Sequence, residues 1–353
     1  MIYVTHKAHF LMRSTFIFVS VFLCIITAGY AQQTVTENTG LVKWLDLKTA
    51  QELNKTQPKP MLIDVYTDWC GWCKHMMKTT FSNEGIANYI NNYFYPVRFN
   101  AETMDTVEFL DKKYINKNIG NRSPNELAII LLEGKLSYPT IVFYNNNYKF
   151  KMLAPGYLSP KDIEPMLVFT VEYIFNTTSA QDFSKYFFKA FYPDSGFVSK
   201  DTITWMKSFN EAVEKNKVQK KKTLLFINTD WCNGGKTMLR STFNNSIVTN
   251  YINDNFHAVA MDARSMDTIT FNNQTYHNTA DNKGFHPFLH MVMGERIVLP
   301  SILFFDEDMT FISQVGQYLT PESLYPVLVF FTENRYKNQK WDDFIKEYQE
   351  KKK

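Results

Sequence analysis

The chain of 353 residues is 45% hydrophobic and 21% charged, a globular balance that excludes a disordered or collagen-like polypeptide. Its 38 Lys and Arg against 35 Asp and Glu give a formal charge of only +3, too little for a protein whose binding rests on nucleic-acid phosphates. Four cysteines are too few for a disulfide-stapled scaffold, and the length suits about two domains, each with its own core. Arg13 then precedes an uncharged apolar run over 16–28, with small Gly29 and Ala31 and polar Gln32 after it. That order describes a secretory signal peptide over 1–31, cleaved after Ala31. A retained anchor is the alternative, but the run is shorter than the ~20 residues that span a bilayer. Cleavage removes Cys24 and leaves three thiols: Cys70, Cys73 and Cys232.

Residues 60–66 read as a buried strand, and the cysteine motif after them opens a helix. A second helix is expected over 83–92, a strand over 94–99 and a helical stretch over 103–114. Segments 140–144 and 149–153 flank Asn145-Asn146-Asn147 as a hairpin, and an amphipathic helix over 160–175 closes the unit. Turn residues place a boundary between 191 and 202. The basic run 215–222 reads as a solvated loop before a strand over 223–227. Strands alternating with helices and ending in a hairpin imply an α/β fold with a mixed sheet flanked by helices.

The chain also repeats itself. Thr67-Asp68-Trp69-Cys70 returns 162 positions later as Thr229-Asp230-Trp231-Cys232, and Asn88-Tyr89-Ile90-Asn91 returns as Asn250-Tyr251-Ile252-Asn253. Pro139 pairs with Pro300, Leu158-Ser159-Pro160 with Leu319-Thr320-Pro321, and Asp182-Phe183 with Asp343-Phe344. A collinear series of this kind is a tandem duplication, with domains over 32–195 and 196–353.

The chemistry lies in Trp69-Cys70-Gly71-Trp72-Cys73-Lys74, between a strand and a helix. A free thiol with pKa ~8.5 is mostly protonated at neutral pH, and unpaired N–H groups at a helix start stabilise its anion. Two intervening residues put Cys73 one turn further on, where it can close a disulfide and resolve a mixed one. Zinc would need two more ligands, and c-type haem attachment needs His where Lys74 stands. A permanently oxidised disulfide remains an alternative, though so short a loop restrains little unfolded chain.

Over 41–175 these residues resemble a thioredoxin-fold domain, closest to exported bacterial thioredoxin-like proteins with a WCGWCK motif, and 203–337 resembles a degenerate copy. The resemblance implies Cys70 as attacking thiolate, Cys73 as resolving thiol and Asp64 as the buried acid that takes the proton from Cys73. It implies a cis-proline turn at Tyr138-Pro139, whose preceding residue pairs its backbone with substrate. Trp69, Gly71, Trp72, Tyr138 and Pro139 are then the residues expected to meet substrate. The Gly71-Trp72 dipeptide matches neither common reducing nor oxidising versions, and an extra segment over 115–137 is expected as helix and loop beside the site. The second copy has Gly235 for the resolving cysteine and Phe226 for the acid, but keeps Cys232 and Leu299-Pro300. Cys232 therefore reads either as inert or as a thiol activated at a helix start. His277, His286 and His290 read as ordinary histidines, and Met291-Val292-Met293 as core filling.

The expected function is an exported, periplasmic thiol–disulfide oxidoreductase, most simply a reductase of protein disulfides. Its cofactor is its own Cys70–Cys73 disulfide, with no metal and no nucleic acid. Its partners are protein substrates and a membrane electron donor. The alternative is a binding or scaffold module whose second domain holds a client. A dimeric isomerase is a third reading.

Overall fold

A computed structural model describes residues 40–193, 202–279 and 284–351; the leader expected over 1–31 and most of the boundary between 191 and 202 lie outside them. The first domain runs α1 (Leu47–Thr56), β1 (Met61–Tyr66), α2 (Gly71–Thr79), α3 (Glu84–Tyr93), β2 (Tyr95–Asn100), β3 (Val107–Phe109), β4 (Lys112–Tyr114), α4 (Glu126–Leu131), β5 (Thr140–Tyr144), β6 (Lys151–Pro155), α5 (Pro160–Val171) and α6 (Ala180–Phe191). Its sheet has the order β2-β1-β5-β6, with β1 parallel to β2 and antiparallel to β5. With a strand on either side, all but the last residue of β1 is buried.

The second domain runs β7 (Trp205–Met206), α7 (Phe209–Val218), β8 (Lys222–Asn228), α8 (Asn233–Thr237), α9 (Ser246–Asn255), β9 (Phe256–Asp262), β10 (Ile269–Phe271), β11 (Gln274–Tyr276), α10 (Pro287–Met293), β12 (Ser301–Phe305), β13 (Phe311–Gly316), α11 (Pro321–Thr332) and α12 (Trp341–Glu350). Its sheet, β13-β12-β8-β9-β7, repeats the first and adds the short β7. Both domains are thus mixed sheets flanked by helices.

Side-chain caps start many of these helices. Asp46 accepts from Thr49 N at the start of α1, Asn83 from Ile86 N at α3, and Ser159 forms a reciprocal box with Asp162 at α5.

Five local expectations are corrected. The helix expected over 103–114 is the β3–β4 hairpin, because Leu110 (φ 50) and Asp111 (φ 61) take left-handed conformations. The helix expected over 160–175 ends at Val171; Tyr173 (φ 55) breaks it, and a 3₁₀ turn Ile174–Asn176 follows. The basic run 215–222 is not a solvated loop: Lys215 and Lys217 end α7, and Lys222 is buried at the start of β8, bonded to Glu307 Oε1 at 2.6 Å. The hairpin strand expected over 149–153 is β6, shifted by two residues because Asn145 and Tyr148 close the turn. Met291 is exposed, while Val292 and Met293 pack against the core.

The two domains share apolar packing. Phe183 and Phe187 of α6, with Val168, Phe169 and Ile174, join Phe226, Phe243, Phe304 and Tyr318 in one buried cluster. Tyr186 Oη donates to both Glu322 oxygens across the same junction (2.6 and 2.7 Å).

Candidate active site

Strand β1 carries Asp64 into the sheet interior, where it is 1% exposed. In the parallel register Asp64 stands opposite Arg98 of β2, whose Nε lies 3.4 Å from Oδ2; Oδ1 has no partner among the described residues. Burial pushes the carboxyl up to about 6, and the nearby guanidinium offsets only part of that rise. After β1 the chain turns through Thr67, whose carbonyl accepts from Cys70 N at 3.1 Å. Cys70 is the N-cap of α2 and is disulfide-bonded to Cys73, with the two Cα atoms 5.3 Å apart. Cys73 N–H donates to Cys70 Sγ at 3.0 Å, so an unpaired amide of the first turn already faces the sulfur that would carry charge on reduction.

Tryptophans rim the disulfide. Trp69 is half exposed and held on three sides: its Nε1 donates to Glu102 Oε1 at 2.9 Å, Arg122 lies 4.4 Å over its ring, and Tyr138 meets it edge-on. Trp72 is 61% exposed and leans on His75 and Tyr157, each 5.6 Å away. Gly71 faces open space, where an added Cβ would meet nothing within 4 Å. The Tyr138–Pro139 bond is cis, and the Tyr138 backbone makes no hydrogen bond among the described residues. Arg98, Glu102, Arg122, His75 and Tyr157 had escaped sequence reasoning. Arg98 had a signal, as the one charge in a strand pairing with β1; Arg122 lay in the extra segment over 115–137, which folds as α4 between loops.

The second copy is built differently. Cys232 is 1% exposed at the start of α8, and the carboxylate of Glu172, the C-cap of α5, covers it. Glu172 Oε1 accepts from Asn233 N at 2.7 Å; Oε2 accepts from Gly234 N at 2.7 Å and from the Cys232 thiol at 3.4 Å. Burial and this neighbouring carboxylate push the thiol far up, away from the thiolate, while burial raises Glu172 to about 7. The Asn228 side chain fills the space that a Cβ at Gly235 would need. Leu299–Pro300 is also cis. His286 Nε2 bonds to the Asp267 carbonyl and His277 Nδ1 to Thr268 Oγ1, each at 2.9 Å. No group of three or more His, Cys, Asp or Glu gathers as a metal would need among the described residues.

Residues 47–170 match a thioredoxin-like domain family, and 204–307 match a second thioredoxin-like family. The thiol:disulfide interchange protein DsbD of Tatumella citrea is 26% identical over 122 residues, which is 35% of this chain and 17% of that protein. DsbD of Escherichia coli K12 is likewise 26% identical over 122 residues, 33% of this chain and 18% of that one. The chain thus spans less than a fifth of the length of these curated relatives. A crystal structure of disulphide isomerase from Xylella fastidiosa is similar with a TM-score of 0.27 at 15% identity, over 37% of this chain and 98% of that one.

Proposed function

We propose that this chain, which belongs to the thioredoxin-like proteins by both of its domains, is an exported thiol–disulfide oxidoreductase that reduces disulfides of periplasmic proteins. The observation that carries the reading is the Cys70–Cys73 disulfide at the start of α2, with the Cys73 amide directed at Cys70 Sγ. In the reduced protein the Cys70 thiolate attacks a substrate disulfide; a Cys70–substrate bond forms and one substrate sulfur leaves as thiolate. Cys73 then loses its proton to Asp64 and attacks Cys70 Sγ, which closes the Cys70–Cys73 bond and releases the second substrate thiol. Two electrons pass to the substrate, and a dithiol donor at the membrane restores the pair. The disulfide is the only redox group the cycle requires. Trp69, Gly71, Trp72 and Pro139 border the incoming chain, and the free Tyr138 backbone pairs with it as an added strand.

The test is the reduction potential of the mature protein, read by thiol alkylation in graded glutathione buffers with Cys232→Ser as control. A value near ~−270 mV is expected of a reductant, whereas one near ~−120 mV overturns the direction. Absence of a reversible couple overturns the activity itself. With a disulfide substrate, Cys73→Ser should accumulate a Cys70 mixed disulfide and Cys70→Ser should form none.

A further inference from the structure

Between the two domains lies a contact that the exchange chemistry does not use. Glu172 follows the last turn of α5 in the first domain, and its backbone N–H still donates to Val168 O, yet all three partners of its carboxylate belong to the second: the amides of Asn233 and Gly234 and the Cys232 thiol. These residues stand where the first domain presents Gly71, Trp72 and Cys70. Gly234 is what admits the carboxylate, because a Cβ there would lie 2.8 Å from Glu172 Oε2 and 3.3 Å from Ile174 Cδ1. In the first domain the equivalent position holds the exposed Trp72, which leaves no such recess. Gly235 is matched to a different occupant, since the Asn228 side chain takes the place of a second thiol. Glu333, the repeat counterpart of Glu172, bonds instead to Arg335 at 3.1 Å.

We propose that the second domain's former cysteine site is an intramolecular receptor for the Glu172 carboxylate, which pins the domains together and withholds Cys232 from exchange. Charge-assisted bonds to two otherwise unpaired helix-start amides give the contact its strength. The substitution at one motif position follows from it: Gly234 makes the recess, and burial under Glu172 keeps the remaining thiol protonated. Among the described residues the first domain then holds the one open exchange centre, at a set orientation to its partner. This assignment concerns Cys232 and Glu172 alone, so it stands or falls separately from the activity of Cys70 and Cys73.

The experiment is N-ethylmaleimide labelling of Cys232 in the mature protein oxidised at Cys70–Cys73, followed by peptide mass spectrometry, with hydrogen exchange at Asn233 and Gly234. Wild type should label slowly and protect both amides. Glu172→Ala should speed labelling about tenfold or more and release both amides, as loss of charged hydrogen bonds implies. Gly234→Ala should do the same, although alanine is ordinarily the better helix former. If Glu172→Ala does not fold, Glu172→Gln carries the test, with one acceptor kept and one amide released. Labelling of folded wild type as fast as in urea overturns the proposal. So does a folded Glu172 or Gly234 variant that labels and exchanges at the wild-type rate.

Discussion

Asp64 and Gly235 show how far single positions depend on what surrounds them. Burial holds the Asp64 carboxyl near 6, against an ordinary value of ~3.9, so the fold favours its neutral form. That contribution is complete below about pH 4 and is lost as pH rises through about 6, a cost of about 3 kcal/mol at neutrality. Asp64→Asn keeps the neutral shape at every pH. Urea unfolding should therefore find the variant more stable than wild type at pH 7.5 and level with it near pH 4; a constant difference at both would contradict the assignment. At Gly235 the obvious repair of the second motif should fail. Gly235→Cys drives a side chain into Asn228, and overpacking of this kind costs about 1–3 kcal/mol. A thermal melt should show that loss, and thiol counting should find no new disulfide with Cys232. The first domain offers the contrast, since Gly71→Ala enters open space and should leave the melt unchanged within about 0.5 kcal/mol.

At the scale of elements, the β3–β4 hairpin is the most instructive correction. Its turn residues Leu110 and Asp111 are both left-handed, as are Asn272 and Asn273 at the same place in the second domain. Asn-Asn is a legible turn signal, whereas Leu-Asp is not, so the second copy carried the information that the first concealed. A residue with a Cβ at positive φ is strained by about 1–2 kcal/mol, and Leu110 at 43% exposed lies outside the buried core. Leu110→Asn should accordingly raise the denaturation midpoint by the equivalent of about 0.5–1 kcal/mol. The strands β1, β5 and β8 were readable because they are short apolar runs buried on both faces. The break in α5 was not, because Glu172 at its end is placed by hydrogen bonds to the second domain rather than by a local stop signal.

The whole molecule is two similar sheets joined through a common apolar layer. Helix α6 closes the first domain and also lies against the second, with Phe183 5.1 Å from the Tyr318 ring and fully buried. Its repeat counterpart α12 places Glu347, Tyr348 and Lys351 where α6 has Tyr186, Phe187 and Ala190, and Glu347 bonds to Lys351, Gln339 and Arg335. The apolar face of α6 thus serves the junction, where the corresponding stretch at the chain's end carries the ion pair of Glu347 and Lys351 instead. Phe183→Ala should cost about 3–5 kcal/mol. Because the cluster spans both domains, calorimetry should show one transition in wild type, and this substitution should shift it as a whole. Two resolved transitions in wild type would mean that the shared layer does not couple the domains.

By itself the sequence determined the α/β class, the duplication, the strand–cysteine–helix order of the first copy and the loss of one thiol and one acid from the second. These are carried by residue spacing and by exact repeats along the chain, which local periodicity and offset make visible. Tertiary structure alone decided that Arg98 faces Asp64, that Glu102 and Arg122 hold Trp69, and that Glu172 reaches across to Cys232. Each joins residues between about 30 and 60 positions apart. Such pairs are brought together by strand register and helix packing, and those follow from how the whole chain buries its apolar surface rather than from any one segment.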